Sequence, residues 1–442
     1  MTGYKYSYDK DINSSVTFDI DNPQFGQMTI DMFTTLLVTD KVMRTGMWIL
    51  GSGGTINTVP AIHNSKIYFG ACDKVFYCLD MKTGEKEWKF ATEGPIVSPP
   101  AIHRDAVYFG SEDCNLYALD SESGKLLWKF TTQDKVIGGP VVYENCLYFA
   151  SYDGNLYALD INGRLLWKFY LGGGSGCTPT ASDGVIYIGS SDGNLYAITK
   201  YGAMLWRFAT KSYVFSSPLV YDGIVYFGSL DENIYAVSAD NGSLVWRIKT
   251  GSGVAGSPLL CGDLIIISSR DQRTLAIKPS GGEIVWSLKT KDIITVKMSY
   301  YNGVLYCGCW DKNVYAVDAR NGSILWHVNT NGAVNAPLCH GGLVYAGSWD
   351  GNMYAIDMET CELRWKFATS LNYPSQVDFR ETVRSAVSSQ IVWKSEDDSG
   401  KSKEAKEDEI RDYGEFSGSY IKKEEGGYVA SGKRSYIRKR EF

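Results

Sequence analysis

Residues Lys129–Trp167 read KFTTQDKVIGGPVVYENCLYFASYDGNLYALDINGRLLW. Four short runs rich in Val, Leu, Tyr, Phe and Trp stand in this stretch: Val136–Val142, Cys146–Ala150, Asn155–Leu159 and Leu165–Phe169. Between them lie Tyr143-Glu144-Asn145, Ser151–Gly154 and Asp160–Gly163, the polar and glycine-bearing clusters that make tight turns. Short β-branched and aromatic runs separated by such clusters predict four strands joined by hairpins.

The pattern repeats along the chain. Trp88, Trp128, Trp167, Trp206, Trp246, Trp286, Trp326 and Trp365 follow one another at intervals of 39 or 40, and Trp48 lies one step upstream. A period in that range marks stacked supersecondary units rather than one irregular core. Four strands per unit, repeated around an axis, predict an all-β, eight-bladed β-propeller of four-stranded antiparallel blades.

Other positions recur with the tryptophans, each for a mechanical reason. Asp73, Asp113, Asp153, Asp192, Asp231, Asp271, Asp311 and Asp350 each lie fourteen or fifteen residues before the block tryptophan. An aspartate at a hairpin hydrogen-bonds its own backbone two residues on, so these set turns. A tyrosine follows four residues later in every block except the sixth, where Leu275 stands. Twelve residues after a tryptophan comes Pro60, Pro100, Pro140, Pro179, Pro218 or Pro258, but the seventh block has Met298 and the last has Pro337 one place early. Small residues precede most of these prolines, as expected where inner strands crowd the axis. The tryptophans, on outer strands, are expected to pack between one sheet and the next.

Ala118-Leu119-Asp120, with Gly124 and Trp128, spells Ala-x-Asp-x-x-x-Gly-x-x-x-Trp. This resembles the tryptophan-docking motif of quinoprotein-type (PQQ-like repeat) propellers, as do the runs Tyr108–Ser111 and Tyr226–Ser229. The resemblance spans roughly residues 45 to 370. It implies one of two kinds of protein: pyrroloquinoline quinone- and calcium-dependent alcohol dehydrogenases, or non-catalytic propellers such as the lipoprotein of the bacterial outer-membrane assembly machine. The dehydrogenases carry adjacent cysteines and long inter-blade insertions. This chain has no Cys-Cys pair, and its near-constant spacing leaves no room for insertions. The expectation is therefore a non-enzymatic scaffold without a cofactor, a monomeric propeller that binds protein partners. A quinoprotein dehydrogenase and a sensor of a small ligand in the channel mouth are the alternatives.

Composition bounds the rest. A net charge of −6 gives no overall basic footprint for nucleic acid. No apolar stretch reaches the eighteen or so residues of a transmembrane helix, and the polar start Met1–Asp9 does not read as a signal peptide. The ten cysteines form no Cys-x-x-Cys pair or disulfide-framework spacing, so no metal site is expected. Several read as small buried thiols, which suits a reducing, cytoplasmic location.

Four segments follow from these shifts. Residues 1–45 are an N-terminal segment, and Arg44–Trp48 looks like the end of a block that could supply a ring-closing strand. The propeller covers 46–370, a connecting segment 371–393, and a tail 394–442 that is expected to be disordered. Glu396–Glu415 holds nine acids against four bases, and Phe416–Phe442 seven bases against three acids, interleaved with Tyr420, Tyr428 and Tyr436. Lys433, Arg434, Tyr436, Arg438, Lys439 and Arg440 are the candidate contacts of this tail with a protein, nucleic acid or an anionic surface. A purely solubilising end is the other reading.

Function on a propeller sits where the copies differ. The residue just before the recurring aspartate is Cys72, Glu112, Tyr152, Ser191, Leu230, Arg270, Trp310 or Trp349, and these should ring one mouth of the channel. Blades six and seven depart furthest: Arg270 and Arg273 flank Asp271, and Lys297 stands where other copies put Ser, Gly, Thr or Pro next to the axis. A lysine there needs water, a carboxylate or an anionic ligand. Arg270, Arg273, Lys297, Trp310 and Trp349, with Glu112 and Tyr152, are the candidate binding residues for an anionic or aromatic partner. The alternative is drift in two tolerant blades, with Lys297 paired to a nearby acid.

Overall fold

The computed structural model describes residues 54–294 and 297–369, and short strands between 394 and 438. Within 61–368 it contains eight four-stranded antiparallel sheets, each built from one continuous stretch of chain with its strands in sequence order. The third blade is typical: Val141–Tyr143 innermost, then Cys146–Ala150, Asn155–Asp160 and, at the rim, Leu165–Tyr170. The central pair is buried on both faces by neighbouring blades, so Leu147, Tyr148, Phe149 and Leu156–Leu159 form near-continuous buried runs. The rim strand alternates instead, with Trp167 and Phe169 turned inward between more exposed neighbours.

The turns are set as the residue types require. Glu144 and Asn145 both have positive φ, 48° and 62°, which is the backbone of a two-residue type I′ hairpin. Asp113 accepts the N–H of Asn115 at 3.1 Å through Oδ1, while its Oδ2 accepts the Tyr117 hydroxyl at 2.8 Å and the Glu93 N–H at 3.0 Å. One carboxylate thus ties its own turn, the third strand and the connection entering the blade. The same Tyr–Asp bond recurs at Tyr157, Tyr196, Tyr235, Tyr315 and Tyr354.

The first strand differs from the sequence expectation. It begins at Val141, not Val136. Gly138 and Gly139 offer no side chains to pack, and Pro140 has no N–H to pair. Residues 136–140 instead cross from rim to axis, and Val136 wedges beneath the preceding blade. A Cβ on Gly110 would come 2.4 Å from Val136 Cγ1.

Each tryptophan joins its blade to the next one. Trp128 Nε1–H donates to Ile161 O at 3.0 Å, and its ring lies over Gly163, where a Cβ would come within 2.6 Å of it. The equivalent bond runs from every block tryptophan. The last, Trp365 to Met81 O at 3.1 Å, joins blade eight to blade one. Tyr345 donates to the same carbonyl, Ile56 N–H to Ser348 O, and Thr369 Oγ1 to Gly54 O at 2.8 Å. Ile56, Ile67, Phe69, Tyr77, Tyr345 and Met353 form one buried cluster across this junction. The candidate closing strand at Arg44–Trp48 lies outside the described residues.

Residues 376–442 form a separate unit. Its described residues pair as Lys394–Glu396 with Ser402–Glu404, Asp412–Tyr413 with Ile437–Arg438, and Ile421–Glu424 with Gly427–Ala430. Most of the tail expected to be disordered, and the connecting segment 371–393, lie outside the described residues.

Candidate functional site at the channel mouth

The mouth is built by one local rule applied eight times. In most blades the second strand runs into a buried serine. Ser111 Oγ donates to Gly94 O at 3.2 Å and accepts the Asp113 N–H at 3.2 Å. The residue between serine and aspartate donates its N–H to the connection entering the same blade. These bonds are Cys72 to Thr55 O, Glu112 to Pro95 O, Tyr152 to Lys135 O, Ser191 to Gly174 O, Leu230 to Tyr213 O, Arg270 to Gly253 O, Trp310 to Ile293 O and Trp349 to Ala333 O, all 2.9–3.1 Å. With the backbone held identically, the side chain is free to vary.

Neighbouring ring members meet. The Trp310 and Trp349 rings lie 5.3 Å apart at 49°, and both indole N–H groups are buried without an acceptor. In blade one, burial and then the Glu112 charge push the Cys72 thiol up to about 12. Burial, then Cys177 and Glu112, raise the Tyr152 phenol, whose ring lies 5.1 Å from the Lys135 ammonium. Arg270 is half-buried, and burial lowers its guanidinium to about 10. Glu112 belongs to blade two and Arg270 to blade six, four blades apart in an eight-membered ring, so the two charges sit on opposite sides.

Arg273 is placed differently. It opens the third strand of blade six, exposed and opposite Lys289, in the position where Asn115 donates to its aspartate in blade two. Lys297 is half-buried at the start of the inner segment of blade seven. It forms no ion pair among the described residues, and burial alone pushes its ammonium down. The tail candidates Lys433, Arg434, Tyr436, Lys439 and Arg440 lie outside the described residues; Arg438 pairs with Asp412 in a two-residue strand.

One feature of the axis escaped the sequence reading. Gly139 N–H donates to Thr178 Oγ1, Thr178 N–H to Ser217 Oγ, and Ser217 N–H to Ser257 Oγ, each at 3.1 Å. The signal was the hydroxyl residue before successive prolines, Thr178, Ser217 and Ser257, read only as small side chains.

The resemblance brings a calcium and a quinone into question, and the donors at the mouth do not fit the metal. The ring supplies one carboxylate, Glu112, and among the described residues no three His, Cys, Asp or Glu side chains gather to hold an ion. Burial raises the thiols of Cys261, Cys307, Cys309 and Cys339 well above the ordinary range, so they are poor nucleophiles.

Eight docked blades around a variable mouth define a propeller of the PQQ-like repeat class. The family model described as beta-alanine-activating enzyme, beta-propeller, matches residues 33–261, just over half of the chain, and the chain belongs to that family. The model described as outer membrane protein assembly factor BamB matches residues 270–401. No curated protein matches the sequence. Among solved structures, the computationally designed protein Ika8 is similar at 18% identity and a TM-score of 0.61, covering 68% of this chain and 95% of its own. BamB from Moraxella catarrhalis is similar at 19% identity and a TM-score of 0.59, with coverage of 67% and 94%. The quinohemoprotein alcohol dehydrogenase ADHIIG from Pseudomonas putida HK5 is similar at 14% identity and a TM-score of 0.57, with coverage of 69% and 70%.

Proposed function

We propose that this propeller is a non-catalytic platform that binds a protein partner at the mouth ringed by Glu112, Tyr152, Arg270, Trp310 and Trp349. The observation that carries the reading is the Trp310–Trp349 pair. Two indole rings in contact, with buried N–H groups lacking acceptors, are poised for a peptide carbonyl or side-chain oxygen. Tryptophan and arginine are the residues most often found at the energetic centre of protein interfaces. Short, near-uniform connections support a rigid mount over a deep enzyme pocket. The assembly-factor description of the family model over residues 270–401 points the same way. Ten free thiols suit a reducing compartment, where we place the protein.

The test is affinity capture from native lysate with the full chain, the W310F/W349F variant, and a chain ending at Trp393. Phenylalanine keeps an aromatic ring at each position and removes the N–H donors. A partner held by the full and shortened chains but lost by W310F/W349F supports the mouth. A partner kept by W310F/W349F and lost on shortening moves recognition to the tail and refutes this reading.

A further inference from the structure

Hydrogen bonding closest to the axis runs as a relay from blade to blade. Gly139, Thr178 and Ser217 each donate a backbone N–H to a side-chain oxygen of the following blade, ending at Ser257 Oγ. The position due to accept from Ser257 N–H is Lys297. An ammonium has three donors and no acceptor, so the relay stops there. Neither Ser257 N–H nor Lys297 Nζ has a hydrogen-bond partner among the described residues. Where the three preceding steps hold an oxygen, this one leaves two donors, one of them charged.

Leaving a half-buried charge unpaired is costly, and the surroundings do not relieve it. Lys297 makes no ion pair among the described residues, and its neighbour Met298 is buried and apolar. The ring member on the blade of Ser257 is Arg270, a second cation, and the ring's acid Glu112 lies four blades away. An oxygen anion placed between Ser257 N–H and the Lys297 ammonium would complete the relay and neutralise the charge, accepting two bonds of which one is charge-assisted.

We propose that Ser257 N–H and Lys297 form an oxyanion site at the propeller axis, taking a carboxylate or a phosphate. The site goes beyond partner binding at the mouth and stands whether or not a protein docks there. Its ligand is a free ion or the carboxylate of an acidic side chain offered by another protein.

The experiment is thermal unfolding of the full chain at constant ionic strength, titrated with sodium phosphate, sodium acetate or a capped glutamate peptide against sodium chloride. Lys297→Ser is the matched variant, because a hydroxyl there restores the acceptor found at Ser217 and Ser257. The wild type should show a saturable rise in Tm with at least one of the three probes. Lys297→Ser should match or exceed the wild-type Tm in chloride and need about tenfold more probe, the factor for losing one charge-assisted hydrogen bond. Protection by phosphate or acetate identifies a free ion, and protection by the peptide alone identifies a protein carboxylate. A wild type indifferent to all three probes, or a variant that responds equally, overturns the site. Amine labelling of the wild type read by peptide mass spectrometry needs no variant: the effective probe must slow labelling at Lys297 and leave exposed Lys289 unchanged. Equal rates at Lys297 with and without the probe also overturn it. Either result leaves the mouth reading intact, because W310F/W349F tests that separately.

Discussion

Cys361 breaks the rule that every other docked tryptophan obeys. Trp88 packs over Gly124, whose φ is +69° and whose Cβ, were there one, would come 2.5 Å from the indole. In blade eight the residue under Trp326 is Cys361, at a φ of +58°. A left-handed backbone costs an L-residue about 1 kcal/mol or more, and Cys361 carries a Cβ at the repeat position where Gly124 has none. The Trp326 Nε1 to Met358 O bond, at 3.2 Å, is among the longer of its kind. Cys361→Gly should therefore stabilise the protein by about 1 kcal/mol after the greater entropy of glycine in the unfolded chain is subtracted; urea unfolding measures it. At a regular position the sign reverses. Trp128→Ala removes a ring and an inter-blade hydrogen bond and should cost about 3–5 kcal/mol, while Tyr117→Phe, which loses only the bond to the Asp113 carboxylate, should cost about 1–2 kcal/mol.

At the scale of strands and turns, the hairpins joining third to fourth strands are set by acids held in the charged form. The Arg320 side chain beside Asp318 holds its carboxyl down at about 2, and the Thr360 backbone N–H with Arg364 does the same for Asp357. Hydrogen bonds from Thr83 and Ser123 lower Asp80 and Asp120. A carboxyl with a folded pKa below its unfolded one near 3.8 stabilises the fold fully above that value and loses its contribution as pH falls through the folded pKa. Melting temperature should thus be flat in this term from neutral pH to about 4–5, then fall toward pH 2. Asp357→Asn should shallow that fall, and a pH series of melts decides it. These turns were legible in sequence because Gly stands four residues before seven of the eight block tryptophans, and Asp seven or eight residues before five of them. The inner strand was less so: Val136–Val142 has strand composition, but Gly139 N–H bonds to Thr178 of the next blade and Pro140 has no N–H, so pairing within the blade begins only at Val141. At the mouth, the shared repeat position of Trp310 and Trp349 was readable, whereas their contact, and the separation of Arg273 from them, depend on which way each strand turns its side chains.

The molecule as a whole is held by eight successive junctions, of which seven join blades adjacent in sequence and one joins blade eight to blade one. The first seven are local in the chain. The eighth, centred on Trp365, Tyr345 and Ile56, must bring residues almost three hundred positions apart together, at an entropic cost the others do not carry. Trp365→Ala should therefore broaden the denaturant transition and lower its m-value, because blades next to an opened seam unfold before the rest. Trp206→Ala, at an internal junction, should shift the midpoint and keep a single steep transition. Equal m-values for the two variants would refute a distinct role for the seam.

The hydrogen bond between Thr369 and Gly54, 2.8 Å long, also bears on how such a ring can be rewired. Each blade is a contiguous segment that passes its tryptophan to the next, so no blade is topologically first. A short linker across Thr369–Gly54 would allow a circular permutant opened between any two blades, for example after Thr132, with every junction kept. The position of the seam would then become a matter of gene order, and folding order could be reassigned around the circle without changing one side chain.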